Sequence, residues 1–137
     1  MMPDVIQRSW RHLRRVFARS PWASELWSSI TVISWGAAVI SAPPEVAEWP
    51  PISYLVQAMP YQYWGTKAII LGGLQFTALV TDARWCRWVM SLIMAYFWTI
   101  LTLAVVASVP WLPGVAVYAG WAGINLFSVF RLLRPDR

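Results

Sequence analysis

The chain has 137 residues, 58% of them from the AVILMFWYC set and 12% charged, with eleven tryptophans and a formal charge of +5. Charged residues are about half as frequent as in an ordinary soluble domain. A fold this small leaves roughly a third of its chain surface in water, so the composition excludes a soluble globule, and its hydrophobicity excludes a disordered chain. Cys86 is the single cysteine, which excludes a disulfide framework. The class that remains is an integral membrane protein: an all-α four-helix transmembrane bundle led by an amphipathic surface helix.

Residues 1–20 read as that surface helix. Ile6, Trp10, Leu13 and Phe17 share one stripe of a helical wheel, and Arg8, Arg11, Arg15 and Arg19 lie opposite it. An apolar stripe backed by arginines is the pattern of a helix lying in the membrane interface, with anionic lipid headgroups as its partner. Membrane proximity accounts for these arginines, so no nucleic acid is expected. A cleavable signal is not expected either, because the arginines lead into a full apolar span with no small-residue cleavage site.

Residues 21–137 read as the transmembrane domain, with spans at about 21–42, 61–81, 88–109 and 112–131. Ser20-Pro21 suits a helix start, and each run approaches the roughly 20 residues that a bilayer requires. Between the first two spans, Pro43, Pro44, Pro50, Pro51 and Pro60 stiffen a loop whose apolar stretch, residues 52–59, is expected on the outer interface. A short link makes spans two and three a hairpin, and Pro110 and Pro113 force a tight turn before span four. Such a threading places Arg84, Arg87, Arg131, Arg134 and Arg137 on the same side as the N-terminal arginines. The positive-inside tendency then puts both termini in the cytoplasm, and a bacterial inner membrane is the expected location. Trp22, Trp27, Trp85 and Trp88 read as one interfacial belt, and Trp49, Tyr61, Tyr63, Trp64 and Trp111 as the other. Trp35, Trp98 and Trp121 are mid-span packing or lipid contacts.

Little in these spans suggests chemistry. Intramembrane catalysis or transport usually needs an ionisable residue within a span, and none is expected deep in any of the four. Lys67 is at an edge, His12 is in the arm, and Cys86 reads as a buried thiol or, less simply, an acylation site. No catalytic, cofactor-binding or metal residue is assigned, and no cofactor is expected. Gln75 and Asn125 are expected to hydrogen-bond between helices, with a pore lining or a subunit contact as the other reading. Small residues repeat every fourth position at Ser34, Ala38 and Ala42, at Ala116 and Gly120, and at Ala119 and Gly123. Those faces suit either the internal bundle or a homo-oligomer.

The arginine-rich start, Ser20-Pro21-Trp22, Trp64-Gly65, Gly72-Gly73-Leu74-Gln75 and Arg84-Trp85-Cys86-Arg87 together resemble small four-span membrane proteins of tailed phages and prophages. The resemblance implies a host inner membrane, or a virion bound for one, and no catalytic residues. The expected function is therefore non-enzymatic and works by helix association: holin-like permeabilisation, superinfection exclusion or genome delivery. The alternative is an accessory or assembly subunit of a larger membrane complex. A small multidrug-type transporter is set aside, for want of a membrane-embedded acidic residue.

Overall fold

The computed structural model describes residues 6–11 and 22–134. The fold is all-α, with no strand among the described residues. Residues 6–11 are helical, and the helices that follow are α1 (Trp22–Ser41), α2 (Pro50–Val56), α3 (Tyr61–Thr81), α4 (Arg84–Ser108) and α5 (Gly114–Leu133). A 3₁₀ segment, Pro44–Glu48, lies between α1 and α2.

Prolines set most of these bounds. Pro43 and Pro44 follow α1, Pro50 and Pro51 open α2, Pro60 precedes α3, and Pro110 and Pro113 lie between α4 and α5. A residue with fixed φ and no N–H stops the helix before it and readily starts the next. The turn from α3 to α4 uses a different device. Asp82 adopts a left-handed conformation, φ 54°, and its N–H donates to the Leu79 carbonyl at 3.1 Å. Aspartate tolerates that conformation at a helix end better than most side chains do.

α1, α3, α4 and α5 have 20, 21, 25 and 20 residues, so each is about 30 Å long or more at 1.5 Å per residue. Two of them, α4 and α5, are both long and apolar enough to cross a membrane, with mean hydropathies of 2.2 and 1.3. α1 and α3 have the length but not the same hydropathy, because α1 turns Glu25, Ser28 and Ser29 inward and α3 turns Gly65, Gly72 and Gln75 inward.

The four long helices form two pairs, α1 with α3 and α4 with α5, and contact between the pairs is sparser. The first pair meets backbone to backbone. A Cβ on Gly36 would stand 2.5 Å from the Gly65 carbonyl oxygen, and one on Gly72 would stand 2.9 Å from that of Ser29. Gly65, Ala68 and Gly72 recur at three- and four-residue spacing, so they share the face of α3 that α1 covers. The short link makes α3 and α4 consecutive in a hairpin, as expected, but α3 packs mainly on α1.

Large apolar side chains fill the centre. Trp98 is fully buried and stacks on Tyr118 and Trp121, with centroids 5.6 and 6.2 Å apart. Phe97 meets Trp98 and Trp35 edge-on at 5.8 and 5.7 Å. The proline-rich loop closes over one end of this core rather than lying out on an interface. Leu55 of α2 is buried, and Trp64 Nε1 donates to its carbonyl at 2.9 Å. Trp64 and Tyr61 are therefore buried instead of belt-forming. Cys86 also departs from expectation: it is exposed, because its neighbour Arg87 takes the inward position on α4.

Candidate functional site

At the end of the bundle opposite the proline-rich loop, three charged side chains meet. Glu25 lies in the first turn of α1, Arg87 in the first turn of α4, and Asp82 caps α3. Arg87 Nε and Nη2 approach Glu25 Oε2 at 2.8 and 2.7 Å, and Nη1 donates to Asp82 Oδ1 at 2.8 Å. Glu25 is 1% exposed and Arg87 4%. An ionised group so buried is tolerable only when paired, because desolvation costs several kcal/mol per ion. No ionisable residue was expected deep in a span, and these charges lie in end turns, but their burial and pairing were not foreseen. Counting uncharged runs treats every charge as a boundary, yet two opposite charges can enter a packed end together.

About one turn further in, a neutral polar layer crosses the same interface. Asn125 of α5 is its hub. Asn125 Oδ1 accepts from Ser28 Oγ and from Gln75 Nε2, each at 3.1 Å, and Asn125 Nδ2 donates to the Trp121 carbonyl at 2.8 Å. Asn125 Nδ2 also stands 2.9 Å from Ser28 Oγ. Ser24 and Ser128 hydroxyls are 2.8 Å apart, and towards the far end Trp35 Nε1 donates to Tyr118 Oη at 3.3 Å. Apart from the Asn125–Trp121 bond, which lies within α5, each of these bonds, like the Glu25–Arg87 and Asp82–Arg87 pairs, joins one helix pair to the other. Glycines bring α1 onto α3; polar groups at one end and the aromatic core at the centre hold that pair on α4 and α5.

The layer is not fully satisfied. Gln75 Oε1 and the indole N–H groups of Trp88 and Trp98 are among the buried polar atoms without a hydrogen-bond partner. The Ser91 hydroxyl, one turn along α4 from Arg87, faces the Glu25 carboxylate as a donor.

Of the residues singled out in the sequence, Gln75 and Asn125 are brought into direct contact. Ser34, Ala38, Ala116, Gly120 and Gly123 are exposed, and a Cβ on Gly120 or Gly123 would meet nothing within 4 Å. As intrachain contacts these faces are therefore corrected to Gly36, Gly65, Ala68 and Gly72. Arg8, Trp10 and Arg11 lie on the helical residues 6–11 and are exposed, whereas Leu13, Arg15, Phe17 and Arg19 lie outside the described residues. Glu25, Asp82 and Arg87 were missed, although the sequence carried a signal. Arg87, Ser91, Met94 and Trp98 follow one another at three- and four-residue steps, which places both polar residues on the core face of α4.

The described residues contain no group of three His, Cys, Asp or Glu side chains placed to hold a metal ion. No protein-family model, curated protein or solved structure matches this chain.

Proposed function

We propose that this is a small polytopic inner-membrane protein with four spans, α1, α3, α4 and α5, which works by association in the bilayer rather than by catalysis. One observation carries the reading: the distribution of polarity is inside out. Glu25, Ser28, Gln75, Arg87, Ser91 and Asn125 are buried, whereas Ile30, Ile70, Leu74, Phe76, Leu92, Tyr96, Leu103, Val117, Phe127 and Phe130 are exposed on all four long helices. Water would penalise that exterior, and hydrocarbon would not. Outward hydroxyls agree with it, since Thr66, Thr77, Thr81 and Thr99 each donate to the carbonyl four residues back and need no water.

The charged end is assigned to the cytoplasm, because Arg84, Arg131 and Arg134 lie at that end and the arginines at positions 8–19 precede α1 in the sequence. The core is filled by Trp98 and its ring neighbours, so any permeation path would run between molecules rather than through one. The contact surface proposed is the open groove of about 510 Å³ between α1 and α5, where Trp27, Trp121 and Phe127 flank the bare backbone of Gly120 and Gly123. This agrees with the phage-type role in a host membrane that the sequence resemblance implies.

The test is expression in bacteria of the chain fused at Arg137 to a reporter active only in the periplasm, with membrane potential followed in the same cells. Carbonate-resistant membrane localisation, a silent reporter and prompt depolarisation support a permeabilising assembly. Harmless expression with co-purifying membrane proteins points to an accessory subunit, and recovery in the soluble fraction overturns the reading.

A further inference from the structure

The groove between α4 and α5 changes character along its length. At the charged end it opens as a pocket of about 460 Å³, lined by Arg84, Trp85 and Trp88 of α4 and by Leu132 and Leu133 of α5. Deeper in, a hollow of about 500 Å³ is lined by Leu92, Ile93, Ala95, Tyr96 and Thr99 of α4 and Leu126 of α5. The two lie in line. Trp85, Trp88, Leu92, Tyr96 and Thr99 follow at three- and four-residue steps along one stripe of α4, and Leu126 and Leu133 are seven apart on the facing stripe of α5. The deep part is apolar, and its Thr99 hydroxyl donates to the Ala95 carbonyl at 2.7 Å.

The head of the groove is cationic and aromatic. Arg84 is fixed across it, with Nε donating to the Leu132 carbonyl at 2.8 Å and Nη2 to the Arg134 carbonyl. Arg131 and Arg134 are exposed at the same end. No acid lines the pocket, and Glu25 and Asp82, the described carboxylates at this end, both bond to Arg87. Trp85 is 70% exposed and stacks on Trp88 with 5.0 Å between centroids. Indole rings favour the headgroup level of a bilayer, and a guanidinium is the side chain best shaped for phosphate. From Arg84 to Thr99 the groove runs about 22 Å at 1.5 Å per residue. One leaflet supplies roughly 15 Å of hydrocarbon, so an acyl chain with its headgroup above it matches that length.

We propose that the α4–α5 groove is a binding site for one anionic phospholipid, its phosphate beside Arg84 and Trp85 and one acyl chain along Trp88, Leu92, Tyr96 and Leu126. The proposal rests on the membrane reading above and adds to it a partner held in a defined place. Charge alone draws such lipids to any arginine near a membrane. A site also needs the guanidinium fork and the apolar trough, and each can be altered without changing the net charge.

The experiment gives the full chain, in neutral detergent micelles, one of three additives: phosphatidylglycerol, phosphatidylcholine with the same acyl chains, or glycerol phosphate without any. Thermal unfolding and native mass spectrometry are read together. Phosphatidylglycerol is expected to raise the Tm by about 3 °C or more and to stay bound as one molecule per chain, and the other two to do neither. Arg84→Lys keeps the charge and loses the fork, and Leu126→Trp fills the trough from an exposed position. Each variant should retain less phosphatidylglycerol by about threefold or more. Should Arg84→Lys fail to fold, Leu126→Trp decides alone. Wild-type retention by either folded variant, or an equal Tm shift from phosphatidylcholine or glycerol phosphate, overturns the proposal. A chain that stays in the membrane fraction yet retains no phosphatidylglycerol overturns this site alone, whereas recovery in the soluble fraction overturns the membrane reading on which it rests.

Discussion

The interface within the α1–α3 pair and the sparser one between the two helix pairs are built in different ways. Between α1 and α3 the backbones meet closely, since Gly36 and Gly65 bring one helix against the carbonyls of the other, with Val32, Ile33, Ile40 and Ile69 packed around the glycines. Between that pair and α4–α5 an ion pair, an asparagine hub and several hydroxyls lie beside the aromatic core of Trp35, Trp64, Phe97 and Trp98. The first interface depends on shape and tolerates no added atom. The second depends on complementary polarity and tolerates no missing partner. A chain with both has two rigid halves and a specific, breakable seam between them.

The sharpest way to break the contrast is to remove one charge from the seam. Arg87→Leu leaves Glu25 buried without its cation, and loss of one partner of a buried pair costs about 3–5 kcal/mol. The variant should unfold at a much lower temperature, measured by circular dichroism in micelles. The double variant Glu25→Leu with Arg87→Leu should recover most of that loss, because replacing both partners removes the desolvation penalty as well. A double variant as unstable as the single one would mean that the pair is not the seam's main tie.

The glycine interface should fail in another manner. Gly36→Val places methyl groups where even a Cβ is 2.5 Å from a backbone oxygen, and such overpacking costs about 1–3 kcal/mol or more. No second substitution on α4 or α5 should rescue it, since the clash is with α3. Cysteine crosslinking between α1 and α3 would show whether the pair separates while the α4–α5 pair persists.

Loss of the neutral hub should be milder. Asn125→Leu orphans the Gln75 amide and deprives Ser28 of its acceptor, but hydrogen bonds between helices in a membrane are worth about 0.6–2 kcal/mol. The expected result is a modest fall in thermal stability and faster exchange of the nearby amide protons.

How these interfaces divide in the sequence follows from their materials. Helix positions were legible because prolines and charge-free runs are local signals: α3 occupies residues 61–81, between Pro60 and Asp82. Gln75 and Asn125 were legible as bonding groups because an amide on an apolar helix needs a partner wherever it lies. Glu25 and Arg87 were not, because whether a charge at a helix end is solvated or buried depends on a partner 62 residues away. The glycine face was hidden differently. Small residues at four-residue spacing occur on several faces, and nothing local tells whether Gly65 and Gly72 or Gly120 and Gly123 meet a neighbour. Trp64 was misplaced for a similar reason, since its burial depends on the proline-rich loop folding back to offer the Leu55 carbonyl.

The smallest effect on folding is expected at Gly120, and it completes the comparison. A Cβ there meets nothing within 4 Å, so Gly120→Leu should leave Tm within about 1–2 °C, as substitutions outside packed interfaces usually do. The same substitution fills the groove beside Trp27 and Trp121 and holds any second backbone away from this face. If the groove is where molecules associate, a protein of unchanged stability should lose crosslinks made through a cysteine at Gly123, in a background with Cys86 replaced by serine. Gly36 and Gly120 are thus the same residue type in opposite roles: one shapes the inside of the chain, and the other leaves room on its outside. A drop in Tm for Gly120→Leu comparable to that for Gly36→Val would show that α5 packs within the bundle through Gly120, and the groove could then not serve as a surface between molecules.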